Sequence, residues 1–277
     1  MKKVLLGFAL VLVTIVLAAC GSNEQFDLET ETEFVVGLEA AYAPFNWSTP
    51  VSNEFTLPLA GQPGVYVDGY DVVISKMIAD HLGLNLVIKA IDWDGLILAL
   101  LAGEIDMIIA GMSPTPLRAQ TVAFSEEYFR SEQVMVVQSN GNYQNATSLQ
   151  DFSQARVVAQ LGTLQDDLIA QITGATRLEP LSSYGMLATA VASNAADAFI
   201  AELPVAQGMV AANSNLKIIR FAQGSGFTVS DEDVVVSVAL RQEDVKLREA
   251  VNEALRLITL ETRNSIMAQA LERQPRE

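Results

Sequence analysis

The run Ala110-Gly111-Met112-Ser113-Pro114-Thr115-Pro116-Leu117-Arg118 places a bare backbone, a hydroxyl and a guanidinium within nine residues. It follows Asp106–Ile109, a short apolar run that reads as a buried strand. The polar groups therefore fall beyond the carboxyl end of a strand, where open α/β sheets bind ligands. Gly111 permits close backbone approach, Ser113 supplies an Oγ, and Arg118 is expected on the first turn or two of a following helix. An arginine beside free backbone amides suits a carboxylate, which it grips by two charge-assisted hydrogen bonds. An arginine in an ordinary surface ion pair would look the same at this stage.

Residues for catalysis are scarce. The single histidine, His81, lies near the end of an amphipathic stretch and just before Leu82-Gly83, and reads as a solvated surface side chain. The single cysteine is Cys20. Zinc-type sites, nucleophile–histidine pairs and disulfides are thereby excluded beyond Cys20. Gly162-Thr163-Leu164 lacks the glycine and lysine spacing of a phosphate loop. The chemistry on offer is binding, with no cofactor or metal implied.

The elements that must position these groups alternate. Phe34–Leu38, Asn85–Lys89 and Asp106–Ile109 read as strands, with helices over Gly69–Leu82 and Trp93–Ala102. A second series runs from Gln133–Val137 through Val157–Gln160, helices over Thr163–Ile172 and Tyr184–Ala192, and the strand Asp197–Ile200. Val234–Leu240 and helices within Glu243–Leu271 complete the chain. Such alternation implies largely parallel sheets flanked by helices. Two α/β units with a C-terminal return imply two lobes that the chain crosses between twice: 33–129 with 236–277, and 134–230, joined at 130–133 and 231–235. Ser48–Val67, with three prolines and no clear period, reads as a surface loop or short hairpin.

The N-terminus sets the compartment. Lys2 and Lys3 precede a hydrophobic stretch, Val4–Leu17, too short to cross a bilayer that needs about 20 residues but fit for the core of a secretory signal. It ends in Leu17-Ala18-Ala19-Cys20, which resembles a bacterial lipobox. That resemblance implies cleavage of 1–19, acylation of Cys20 (a palmitate-type anchor) and a lipid tie to the outer face of a membrane or a periplasmic location. Residues 20–32 read as a flexible polar tether. The whole chain carries 17 basic and 33 acidic residues, net −16, and loss of Lys2 and Lys3 makes the balance −18. Such a surface repels phosphate backbones, so nucleic acid is excluded as a partner.

Several ordered motifs extend the picture. Val36-Gly37-Leu38-Glu39-Ala40-Ala41-Tyr42-Ala43-Pro44-Phe45, Gly69-Tyr70-Asp71-Val72, Asp92-Trp93-Asp94-Gly95-Leu96 and Gly103-Glu104-Ile105-Asp106 lead to the Ala110–Arg118 run. Phe124-Ser125-Glu126-Glu127-Tyr128, Gly162-Thr163 and Asp197-Ala198-Phe199 follow. Together they resemble the polar amino-acid-binding proteins of ABC importers, of the type II periplasmic-binding-protein fold. The resemblance implies a two-lobe α/β clamp, a free amino acid as ligand and permease subunits as partners; a monomer with one lobe pair is the default expectation. It places Arg118, Ser113 and Thr163 on the ligand carboxylate and Glu202, where an aspartate is usual, on its ammonium. Tyr42 and Trp93 match the aromatic walls, Glu39 an acid facing the ligand side chain, and Gln160 the cleft end of a second-lobe strand. Ala110 and Gly111 are expected to contribute backbone groups.

Read without the resemblance, Tyr42 and Trp93 could equally be core aromatics, Glu39 a solvated strand-end charge, and Glu202 a helix N-terminal acid that favours the dipole. With it, Glu39 between two aromatic faces suits a cationic side chain. Arginine or lysine is therefore expected first and glutamine next. A sensory lipoprotein on the same fold and a dehydratase using a cleft carboxylate are the alternatives. Asp106 and Asp197, each opening an apolar strand, read as structural.

Overall fold

The computed structural model describes residues 25–276; the 1–19 leader and Cys20 lie outside the described residues. Two five-stranded sheets form the two lobes of an α/β fold. In the first, Asn85–Ala90, Glu33–Leu38 and Met107–Ile108 run parallel, and Val235–Leu240 lies antiparallel between Met107–Ile108 and Ala123–Arg130. In the second, Thr176–Arg177, Arg156–Val158 and Ala198–Glu202 are parallel, and Gln133–Gln138 lies antiparallel between Ala198–Glu202 and Leu216–Ile219. Each sheet thus has one reversed strand, and each reversed strand is the one that arrives from the other lobe. The chain crosses between Arg130 and Gln133 and returns between Ile219 and Val235.

Strands covered on both faces must be apolar throughout, and the central ones here are. Val134, Met135, Val136 and Val137 are all buried, as are Phe34, Val36 and Leu38. One large core joins the first sheet to parts of the second lobe, and a smaller cluster around Phe152, Ile169 and Ile200 lies wholly in the second. The helix Tyr70–Leu82 starts at Gly69, where φ is 140° and a β-carbon would sit 2.2 Å from the carbonyl oxygen of Phe45. No side chain fits there, so the close approach of helix and loop requires glycine.

One local expectation, a short hairpin within Ser48–Val67, holds as part of a larger sheet, and three others need correction. Ser48–Val67 contributes to a four-stranded sheet built from Ala41–Tyr42, Asn46–Thr49, Leu57–Pro58 and Tyr66–Asp68. Its strands of two to four residues are too short for alternation to read, and Pro58 is tolerated because its strand is at the edge. Arg118 opens only a three-residue 3₁₀ turn, Arg118–Gln120, because the strand Ala123–Arg130 follows almost at once. The helix expected over Thr163–Ile172 is α-helical only at Leu164–Leu168, then tightens into a 3₁₀ turn before Gly174. The tether is also not free over its described part. Phe26 is buried, its N–H donates to Asp244 Oδ1 at 2.8 Å, and Gln25 Nε2 donates to the carbonyl of Glu243 at 2.8 Å. An aromatic ring alone in an acidic segment was enough to pin it.

Candidate functional site

Loops at the strand ends of both lobes meet in one cleft. Its lining comprises Glu39, Tyr42, Trp93, Gly111, Ser113 and Arg118 from the first lobe, facing Gln160, Thr163, Leu164, Gln165, Tyr184 and Glu202 from the second. Nine of the ten residues singled out from the sequence therefore come together. Ala110 does not line the space; it is buried just behind Gly111. Leu164, Gln165 and Tyr184 were missed, although Gln165 stands two residues past Thr163 and Tyr184 opens a helix after Ser182-Ser183, both junction positions.

Arg118 is aimed before any ligand is considered. Nη1 donates to the Ser113 carbonyl at 2.9 Å, Nη2 to the Gly162 carbonyl at 3.2 Å, and the guanidinium carbon lies 5.1 Å from the centre of the Trp93 ring. Desolvation pulls its pKa down to about 10, so it stays charged at neutral pH. Trp93 Nε1 also donates to the Gly162 carbonyl at 3.2 Å. Gly111, at φ 65°, brings its backbone against the Tyr42 ring, where a β-carbon would lie 2.8 Å from Cε1.

Across the cleft, Thr163 caps the helix Leu164–Leu168: its Oγ1 accepts from Asp166 N at 3.3 Å and donates to the Gln160 carbonyl at 2.8 Å. Glu202 is buried, accepts from the Tyr42 hydroxyl and takes the Gln165 amide at 2.8 Å. Burial raises its pKa, against the pull of Tyr42, Gln165 and Arg118. Glu39 accepts from Gln160 Nε2 at 3.0 Å, and burial lifts it to about 7, opposed by that hydrogen bond and reinforced by Asp92 and Asp94. Tyr42 is buried between Phe45 and Tyr184, with ring centres 5.4 and 4.9 Å away. It is a core aromatic and a cleft wall at once.

Four hydrogen bonds therefore span the cleft: Tyr42–Glu202, Glu39–Gln160, and Trp93 and Arg118 on Gly162. The space they enclose is about 20 Å³, the scale of one or two waters. A larger guest enters only when these bridges part and the lobes separate.

Two lobes joined by two crossings, with a polar cleft at the strand ends between them, define the type II periplasmic-binding-protein fold. The chain belongs to the bacterial extracellular solute-binding proteins, family 3, which match residues 34–271. That family binds solutes for ABC transporters outside the cytoplasm and is not enzymatic. The arginine-binding extracellular protein ArtP of Bacillus subtilis (strain 168) is 28% identical over 261 residues, covering 92% of each chain. The ABC transporter glutamine-binding protein GlnH of the same organism is 26% identical over 276 residues, again covering 92% of each. Among solved structures, an amino acid ABC transporter substrate-binding protein from Streptococcus pneumoniae Canada MDR_19A, bound to L-arginine, aligns with a TM-score of 0.74 at 25% identity, covering 87% of this chain and 94% of that one. Among the described residues no helix is long and apolar enough to cross a membrane.

Proposed function

We propose that this chain is the amino-acid-binding component of an ABC importer, with L-arginine or L-lysine as the favoured ligand. The observation that carries this reading is the charge set of the cleft. One cation, Arg118, and two carboxylates, Glu39 and Glu202, line the same space. A zwitterion with a cationic side chain presents the complement: one negative group and two positive ones. The carboxylate takes N–H donors at the guanidinium edge of Arg118 with Ser113 and the Thr163 end of its helix. The α-ammonium replaces the Tyr42 hydroxyl on Glu202. The side chain lies between Tyr42 and Trp93 and ends at Glu39, where charge pairing and cation–π contact act together.

Glutamine is the second reading, and the state of Glu39 supports it. With a pKa of about 7 this carboxyl is half protonated near neutrality, so it offers both a donor and an acceptor to a side-chain amide. In either case closure carries the second lobe, 134–230, against the first, 33–129 with 236–277, by rotation at 130–133 and 231–235. The permease then reads the closed form. Cys20 carries the lipid anchor, and the protein works as a monomer on the outer face of the membrane.

A thermal-shift panel of the twenty amino acids plus ornithine and citrulline tests the reading, since a ligand that binds only the folded state raises Tm. Arginine and lysine should give the largest rise and glutamine a smaller one. A panel in which no amino acid raises Tm would sink it.

A further inference from the structure

Gly69-Tyr70-Asp71-Val72 does not line the cleft, yet Asp71 is fully buried on the first turn of its helix. A carboxylate out of water must find partners, and those of Asp71 lead in two directions. Asn46 Nδ2 donates to Oδ2 at 2.8 Å, and Asn46 Oδ1 accepts from the N–H of Ala40 at 2.7 Å. The Tyr128 hydroxyl donates to Oδ1 at 2.8 Å and accepts from the N–H of Gly111 at 3.1 Å. Tyr128 is itself held in place, because the Tyr70 hydroxyl donates to its carbonyl at 2.7 Å.

The two ends of this chain are the backbones of the two cleft loops in the first lobe. Ala40 sits between Glu39 and Tyr42 and holds a positive φ of 57°, a strained choice for a residue with a β-carbon. Gly111, at φ 65°, starts the segment that carries Ser113 and Arg118. Both unusual backbones are tied, at one remove, to the same carboxylate.

We propose that Asp71 is a positioning residue for ligand recognition: through Asn46 it sets the Glu39–Tyr42 loop, and through Tyr128 it sets the Gly111–Ser113 loop. The proposal rests on the amino-acid-binding reading of the cleft. With Asp71 ionised, every donor in the network points inward to an accepting carboxylate oxygen. Replacing Asp71 by asparagine turns one acceptor into a donor and sets two N–H groups face to face. Exchanging the pair, Asn46→Asp with Asp71→Asn, restores every donor to an acceptor with the charge moved one link along the network, from position 71 to 46.

The test is calorimetry with L-arginine on four proteins, together with hydrogen exchange at the Gly111 amide in the ligand-free state. Tyr128→Phe and Asp71→Asn should each raise Kd about tenfold, the scale of one misplaced hydrogen bond. The Asn46→Asp/Asp71→Asn exchange should recover most of the loss, and Gly111 exchange should quicken in the single variants and slow again in the pair. A purely structural role would lower Tm in the single variants and leave Kd within about twofold of the parent; that outcome, or an unchanged Gly111 amide, overturns the proposal. If the parent protein bound neither arginine nor glutamine, the functional reading would fall, and the amide exchange would still decide whether Asp71 places the loops.

Discussion

The two lobes open their inner strands with the same device and fasten it differently. In the first, Gly103 turns the chain at φ 73° and Asp106 then accepts from the N–H of Val35 at 2.9 Å. In the second, Asn194 turns at φ 64° and Asp197 accepts from the N–H of Arg156 at 2.8 Å. Each aspartate thus ties the start of one strand to its neighbour, and each meets an arginine. Arg156 comes from that neighbouring strand, is partly exposed and grips Asp197 by both carboxylate oxygens, at 2.8 and 3.1 Å. Arg241 comes from the returning C-terminal segment and is buried. It donates to the Ile105 carbonyl at 2.9 Å and lies 3.3 Å from Asp106 and 2.8 Å from Asp244, the latter at an angle that makes no hydrogen bond. Asp244 in turn holds the N-terminal strap at Phe26. One lobe closes its strand with a surface clasp; the other uses the same position to tie the Phe26 strap and the returning segment at Arg241 into its core. The difference teaches that a repeated motif repeats its geometry while its energetics follow burial.

The largest effects should fall on the first lobe. Arg118→Ala is expected to weaken arginine binding by about 10²–10³-fold, since it leaves the ligand carboxylate unpaired in a closed cleft. Calorimetry showing parental affinity would remove Arg118 from the site. Arg241→Ala should cost about 3–5 kcal/mol of folding stability, because it strands the buried Asp244 carboxylate without its cation. Arg156→Ala, the matched change in the second lobe, should cost only about 1 kcal/mol or less, as solvated ion pairs do. Denaturant unfolding of the two variants side by side measures the contrast, and equal losses would break it.

Legibility followed the same division. The apolar strands and the junction run with Gly111, Ser113 and Arg118 could be read because short buried runs and their polar ends differ sharply in composition, whereas Thr163 and Glu202 came only with the family resemblance. Ala123–Arg130 could not, although its motif was recognised: Ser125, Glu126 and Glu127 point a polar edge outward and mask the strand. Leu216–Ile219 is too short to stand out. The strap escaped because one buried phenylalanine in an acidic segment leaves no period. Glu202 and Tyr42 were read as separate ligand contacts; that they meet each other across the cleft depends on how the lobes close, which no spacing within either lobe encodes.

Smaller effects come with pH. Glu39, at about 7, must be ionised to pair a cationic side chain, so arginine affinity should fall as pH drops below about 7, by up to about tenfold per unit, and stay level above it. Glu39→Gln should flatten that profile. A profile unchanged by the substitution would take Glu39 out of side-chain recognition.

The smallest and most discriminating test sets the two lobes' aspartates against each other, because their titrations should run in opposite directions. Burial raises Asp71 from its ordinary 3.8 to about 7, despite the hydrogen bonds from Asn46 and Tyr128. The folded chain then holds this proton more tightly than the unfolded chain. The contribution of Asp71 to stability is therefore greatest below about pH 4, declines as pH rises to about 7, and is flat beyond. Burial also pushes Asp197 upward, but the hydrogen bonds and charge of Arg156 outweigh it and hold the group below 3.8. Its contribution is complete above that value and is lost as pH falls through the lower, folded one. Melting temperatures across pH 3 to 8 should show Asp71→Asn removing a downward slope between about 4 and 7, whereas Asp197→Asn removes an upward slope confined to the acid end. The same slope lost in both variants would mean that the two aspartates do not differ electrostatically as their neighbours require.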